Sequence, residues 1–521
     1  MCGILFYNGE NVKPKDYSND AELLLEFYEK DITRARNNTE LTTSTQFNNL
    51  IPYIISRGPN YCSLRYDPSS QNFWFSSVLS LRSPFTKQCV SNERYVLQYN
   101  GELYNDCTTA SLLEFENDTM YILKELSSSE HGVTDVIRKL NGEFAYTIYD
   151  KLENCIYFGR DKIGRRSLSY QLNSDDNANT SIYITSCSGK SQGSFINCDG
   201  GVIYKYAINQ HTLTEVGNIK PDYMVTNMVD LEFQHMDTKI DQLYELLQSS
   251  IYKRLVTIHP LHAEQNPISV LFSGGLDCSI IVSLICQELV RQNREKDITI
   301  ELLNVGFESP RTNMKPSETP DRLLAIESAK IIKGNFPNID IRLLEVDVSY
   351  QDYVKFKEHV VDLIYPKATV MDLSIAIAFY FAASGKSNSG YNRNGIVLFS
   401  GLGADELFGG YYKFLHKSLS EIQVQLIKEI NNIHDRNLSR DDKVISSHGV
   451  EVRYPFLDDD LIEFTTTSIP LNYKVNKLIL RKLASKHLNL GKICEEPKRA
   501  IQFGSKTAKI VDGKGKGTDI L

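Results

Sequence analysis

The pentapeptide Val-Leu-Phe-Ser-Gly occurs twice in this chain. In VLFSGGLDCS (270–279) it runs into a second glycine, Asp277 and Ser279, and in VLFSGLGADELFGGY (397–411) into Gly403, Asp405 and Glu406. Glycines at a strand–helix turn let backbone N–H groups approach a phosphate, and the helix N-terminus adds partial positive charge. Asp277 suits such a site if the phosphate ligand brings Mg²⁺ with it. The Gly-Lys-[Ser/Thr] ending of a Walker A loop is absent. A plain glycine turn would explain the first stretch alone. A second strand end of the same kind, with Asp405 beyond it, is much harder to attribute to turn chemistry. A third candidate is Cys2, in MCGIL. Removal of Met1 would give it a free α-amine of pKa about 7.7–8.0, able to act as the thiol's own general base. From these residues alone, coincidence is the stronger reading.

Two kinds of element must position these residues. Up to about residue 207, EFAYTIYD, CIYFGRDK and SIYITS are short strands rich in aromatic and β-branched residues, with one helical stretch near 118–127. From about 230 the pattern alternates. The helix TKIDQLYELLQSSIYKRLV is followed by ISVLF, the helical SIIVSLICQELVRQ, ITIELLNVGF, AIESAKIIKG and DIRLLEVDV, which read as parallel βαβ units. If ISVLF and GIVLF share that sheet, both Ser-Gly turns lie at strand carboxyl ends, where open α/β sheets bind ligands. The boundary falls between 207 and 235. Segments 306–322 and 384–395 read as polar loops, and VDGKGKGTDIL as a loose tail.

With 521 residues, 41% hydrophobic and 23% charged, the chain has the composition of a soluble protein of several domains. No apolar run approaches the ~20 residues of a membrane span, and no basic leader precedes the first apolar run. Ten cysteines without CxxC spacing favour reduced thiols and a cytoplasmic location. A net charge of −8 argues against a protein held mainly by nucleic-acid phosphates.

The two Ser-Gly stretches resemble the pyrophosphatase loop and the Ser-Gly-Glu-Gly-Ala-Asp-Glu-Leu-Phe-Gly-Gly-Tyr motif of glutamine-dependent asparagine synthetases. SHGVEVRYPFLD (447–458), LILRKLA (478–484) and the lysine of EPKRAIQFG (496–504) fit the same family. YNGELYN (99–105), LNGEFAYTIYD (140–150), GRDKIGRRSLSY (159–170) and SRGPN (56–60) resemble its class II glutamine amidotransferase domain. The similarity covers nearly the whole chain, and its length and the ending PKRAIQFGS look closest to the asparagine synthetase domain-containing branch. The resemblance implies α+β and α/β architecture. A four-layer αββα Ntn-type glutaminase sandwich would occupy 1–215, and a parallel-sheet ATP-pyrophosphatase domain 216–521.

By the resemblance, Cys2 is the nucleophile, Asn100 and Gly101 bind the oxyanion, and Glu102 and Asp118 hold the glutamine α-amine. Asp118 is equally readable as a helix N-cap. ATP would lie against Phe272 and Val305, with its phosphates on Ser273, Gly274, Gly275, Ser279, Ser400 and Gly401. Asp277 and Asp405 would hold Mg²⁺ with the pyrophosphate, and Lys498 would stabilise charge during adenylation. Glu451 and Arg453 are either functional or a buried structural ion pair, and Asp372 occupies a family-like place near the acid substrate. The expected partners are glutamine, ATP and aspartate or a related acid, without nucleic acid or membrane, and a homodimer is the assembly to test.

Three positions depart from the family. Val78 stands where an arginine clamps the glutamine carboxylate. Arg82, on the same strand face, either substitutes for it or is a surface charge. Leu402 replaces the glutamate of Ser-Gly-Glu-Gly, and leucine carries neither proton nor charge. Cys278 for serine is the milder change. The departures leave open a different acid substrate, or a degenerate scaffold.

Overall fold

The structure, a computed structural model, describes residues 2–15, 17, 21–28, 31–32, 40–81, 85–105, 117–130, 132–174, 180–190, 192–258, 267–508, 510 and 517–521. Its strand Cys2–Asn8 carries an uninterrupted apolar run and is buried on both faces. Side chains alternate along a strand. Leu5 and Tyr7 therefore enter one core, shared with Phe47, Leu50 and Ile54 of the helix Thr45–Ile55. Ile4 and Phe6 enter another, shared with Val96, Ala145, Ile156 and Phe158. A third core joins Leu97, Tyr99, Tyr146 and Ile148 to the helices Asp118–Ser128 and Val133–Lys139. Three successive cores separate four layers: helix, seven-stranded sheet, six-stranded sheet and helices. The αββα sandwich is present.

By compactness the chain divides into two units. One comprises Met1–Pro221 with His359–Ala368 and His434–Val450, and the other Asp222–Glu358, Thr369–Ile433 and Glu451–Leu521. The second unit is built on five parallel strands in the order Ile341–Val348, Ile300–Phe307, Ile268–Leu271, Val397–Phe399, Glu451–Arg453. The first strand in the chain lies in the middle and the order reverses across it. That reversal makes a topological switch point between Ile268–Leu271 and Val397–Phe399.

The helices Met236–Val256, Leu276–Arg291 and Pro320–Asn335 lie where the 3.6-residue period puts them. The polar loop expected at 306–322 is shorter, because the strand runs to Phe307 and the helix starts at Pro320. The tail expected to be loose is in part held. Ile520 bridges Thr369, and the carbonyls of Gly517 and Asp519 accept from the N–H groups of Met371 and Val370, both at 2.9 Å. The first turn of the helix Val370–Ser384 leaves these donors without intrahelical acceptors, and the tail supplies them. Among the described residues no helix is long and apolar enough to cross a membrane.

Candidate active sites

In the first unit, period two places Cys2 on the face of Ile4 and Phe6, and Asn100 and Glu102 on the face of Val96. Each strand thus starts on the inter-sheet core and turns polar at one end. The Cys2 backbone N–H donates to Asn100 Oδ1 at 2.8 Å. This bond orients the amide, since its oxygen is committed to Cys2. The other end of that amide, Nδ2, is buried and has no hydrogen-bond partner among the described residues. Gly101 is required by close approach: a Cβ there would lie 2.2 Å from the Glu143 carbonyl oxygen.

Asp118 is buried in the first turn of its helix, but the cap is Asn117, whose side chain accepts from Met120 N–H. The N-cap reading of Asp118 is therefore wrong by one residue. Both are cap-forming types, and the chain entering the helix selects the first. Val78 pairs with Cys2 across the two strands and also backs the Arg57-Gly58-Pro59 turn. A Cβ on Gly58 would meet Val78 N at 2.4 Å. Arg57, quoted in the sequence motif without a role, is fully buried and donates to Asp442 Oδ2 at 2.8 Å. Asp442 also accepts from the backbone N–H and hydroxyl of Ser167. Burial pushes its carboxyl up, but Arg57 and Arg166 outweigh burial and hold it below the usual aspartate range. Arg82 lies outside the described residues.

In the second unit the two Ser-Gly turns are neighbours, since a Cβ on Gly401 would meet that of Asp277 at 3.1 Å. Gly274 has φ +80° and leaves no room for a side chain against Ala325 N, at 2.5 Å. Ser273 and Gly275 stand partly exposed at the turn, and buried Ser279 follows one helical turn later. Phe272, just past the end of one strand, and Val305, two residues before the end of its neighbour, are buried, and buried Ser400 accepts from Leu402 N–H at 3.3 Å. Burial pushes the Cys278 thiol up to about 11, so it stays protonated and donates to the Gly275 carbonyl at 3.2 Å. A serine hydroxyl could make the same bond.

The centre of this region is a residue the sequence reading missed. Lys477 Nζ sits 2.5 Å from Asp277 Oδ2 and 2.5 Å from Asp405 Oδ1. Lys498 pairs with the other oxygen of Asp405. Burial works against the Asp405 charge, but Lys477 and Lys498 outweigh it and hold the carboxyl below the ordinary range. Burial likewise opposes the charge on Lys498, and Asp405 and Asp277 raise its pKa above the ordinary lysine value. Lys477 is aimed by a strained corner in which both Asn476 (φ +53°) and Lys477 (φ +58°) are left-handed. The available signal was its place immediately before LILRKLA.

Asp277 Oδ1 is buried without a hydrogen-bond partner among the described residues. A free, hard carboxylate oxygen beside a phosphate-type turn fits a Mg²⁺ ion that takes its remaining ligands from phosphates and water. Among the described residues no group of three or more His, Cys, Asp or Glu could hold a metal unaided. Glu451 and Arg453 form a buried ion pair: Arg453 Nε donates to Glu451 Oε1 at 2.8 Å, and Nη1 donates to Thr257. Asp372 is tied to its own N-cap Thr369, which donates to Asp372 Oδ2 at 2.6 Å.

Family models match the chain over both regions. A glutamine amidotransferase domain matches residues 75–186, and asparagine synthase matches 242–425 and 416–514. The Saccharomyces cerevisiae asparagine synthetase domain-containing protein YML096W is 51% identical over 100% of this chain and 99% of its own length. The chain belongs to the asparagine synthetase family. Within that family, the human asparagine synthetase domain-containing protein 1 is 26% identical over 90% of this chain and 93% of its own. The glutamine-hydrolyzing asparagine synthetase of Cricetulus griseus is 25% identical over 79% of this chain and 72% of its own.

Proposed function

We propose that the chain is a glutamine-dependent amidotransferase that amidates a carboxylic acid at the expense of ATP, with aspartate the first acid to test. The glutaminase would occupy 1–215 and the synthetase 216–521. After removal of Met1, the nitrogen held by Asn100 Oδ1 is the α-amine that takes the Cys2 thiol proton. Sγ attacks the glutamine side-chain amide, ammonia leaves, and water releases glutamate. Asn100 Nδ2 and the Gly101 N–H bind the oxyanion of the tetrahedral step. Glu102 and Asp118 hold the substrate amine.

In the second unit, a substrate carboxylate attacks the α-phosphate of ATP bound against Phe272 and Val305, and pyrophosphate departs. Ammonia then displaces AMP from the acyl-adenylate, giving the amide. Lys477 and Lys498 turn from the carboxylates toward phosphate oxygens. Asp277 and Asp405 would hold Mg²⁺, which supplies positive charge to the pyrophosphate when bound. The observation that carries this reading is the convergence of two acids and two lysines at the carboxyl ends of the strands that flank the switch point.

Pyrophosphate and AMP release over a panel of carboxylic acids, with glutamine and then ammonia, tests it. Formation of ADP and phosphate would overturn it. Leu402 favours a second reading, an acid other than aspartate, because the family's glutamate is missing there. If aspartate is turned over slowly for that reason, Leu402→Glu should raise its rate, by up to the roughly 10²–10⁴ of an acid–base group.

A further inference from the structure

Lys477 and Lys498 approach Asp405 from different parts of the chain, and long ammonium side chains do not hold such positions unaided. Lys477 depends on a corner of two left-handed residues, and Lys498 on the chain that leaves the 3₁₀ turn Gly491–Glu495. Arg481, on the helix Leu478–His487, touches both mounts. Its Nε donates to the Asn476 carbonyl at 2.8 Å, and Nη2 lies 3.4 Å from Asn476 Oδ1. Its Nη1 donates to the carbonyls of Cys494 at 2.7 Å and Glu496 at 2.9 Å.

A planar guanidinium can serve acceptors on two sides at once, whereas an ammonium is a single point on a flexible stem. A cavity of about 510 Å³ adjoins, lined among others by Gly410, Asn476, Arg481, Glu495 and Lys498. Without the guanidinium the corner and the loop would lose the hydrogen bonds that tie both to this helix.

We propose that Arg481 is a positioning residue that clasps the mounts of Lys477 and Lys498, and through them sets the affinity of this site for the phosphates of a nucleotide. The second half of the proposal rests on the nucleotide reading above. The first half does not.

The test uses the full-length chain carrying Arg481→Gln or Arg481→Lys. Acetylation of each lysine by an amine-reactive reagent is followed by mass spectrometry without nucleotide. Both variants should label Lys477 and Lys498 several-fold faster than the wild type. The rate at exposed Lys87 should not change. Buried Lys443 should stay protected, which shows that the chain is folded. Unchanged rates at Lys477 and Lys498 would overturn the proposal.

Binding of ATP and of pyrophosphate with Mg²⁺ is then measured by calorimetry. The variants should bind about 10–100-fold more weakly, the usual cost of losing an outer supporting group. In a Lys498→Gln background the further loss from Arg481→Lys should be much smaller than in the wild type. Full additivity would show that Arg481 does not act through Lys498. A wild-type protein that binds neither ligand removes the nucleotide reading and the affinity claim with it, while the labelling rates still decide whether Arg481 holds the two lysines.

Discussion

The two candidate sites handle charge in opposite ways. Beside Cys2 the working group is neutral, an Asn100 amide whose donor end is left open while its oxygen is held. Four buried charges of that unit, Arg57, Asp442, Arg166 and Glu143, are engaged with one another. At the switch point of the parallel sheet the working groups are themselves ions, and Asp277, Asp405, Lys477 and Lys498 neutralise one another. The first arrangement suits a reaction in which charge develops on a neutral substrate, where a preorganised open donor is worth most. The second suits a ligand that arrives highly charged, because ions already desolvated in pairs can exchange partners. Rate should be concentrated in the first site and stability in the second.

The largest expected effect is on the nucleophile. Cys2→Ala should cut glutamate release to background, a loss on the order of 10⁶ if it matches other nucleophile deletions. Any ammonia-dependent pyrophosphate release should survive. Retained glutamine turnover would remove Cys2 from the site.

Asn100→Ala comes next, at about 10²–10³ in kcat for glutamine hydrolysis with a nearly unchanged melting temperature. A large drop in melting temperature would break the contrast, since it would make Asn100 a structural group.

Asp405→Asn should act in the opposite sense. It leaves two lysines beside one remaining carboxylate, at a cost of about 3 kcal/mol in urea unfolding. The sign of the pH dependence follows from the shifts. Asp405 has a lowered pKa, so its stabilisation is present above the unfolded value near 4 and is lost as pH falls through the folded one. Lys498 has a raised pKa, so its contribution is present below about pH 10 and lost as pH rises further. The variant should be least stable relative to wild type between these limits, and a gap that does not close in acid would contradict the ion-pair assignment.

A last prediction sharpens the same comparison with a buried carboxyl that is paired only loosely, with Arg499. Burial pushes Asp321 up to about 7, with Arg499 and Lys498 opposing it, and Arg499 is 3.8 Å away. This raised group contributes stability below about pH 4 that is lost as pH rises through 7. Asp321→Asn, which stays neutral, should match the wild type in acid and exceed it above pH 7 by a few kcal/mol at most. Thermal melts at pH 4 and pH 8 decide it; equal differences at both would sink the prediction.

Much of this was legible in the sequence. The paired Val-Leu-Phe-Ser-Gly strand ends, the period-two runs of the first half and the helix–strand alternation of the second are local patterns, and local patterns survive folding. The helix placed near 118–127 spans Asp118–Ser128. Lys477 was not legible as a site residue, because its carboxylate partner Asp277 is 200 residues away and no rule of composition assigns a lysine to the left-handed region. The tail was misread for a related reason: its glycines and charges say nothing of the helix end that accepts it.

What the sequence alone determined is the chemistry on offer: a cysteine at position 2, an Asn-Gly pair, two acid-bearing glycine turns, and a leucine and a valine where the family carries charge. The tertiary structure decided which of these groups are held open and which are neutralised. It turned Asn100 by giving its oxygen to Cys2, brought His434–Val450 into the first unit so that Asp442 could pair with Arg57, and set Lys477 between two aspartates. The physical reason is range. Backbone propensity and side-chain alternation act over a few residues and are written in order along the chain. The partner of a buried charge or amide is set by packing between segments far apart in sequence, and becomes fixed only when the cores around it close.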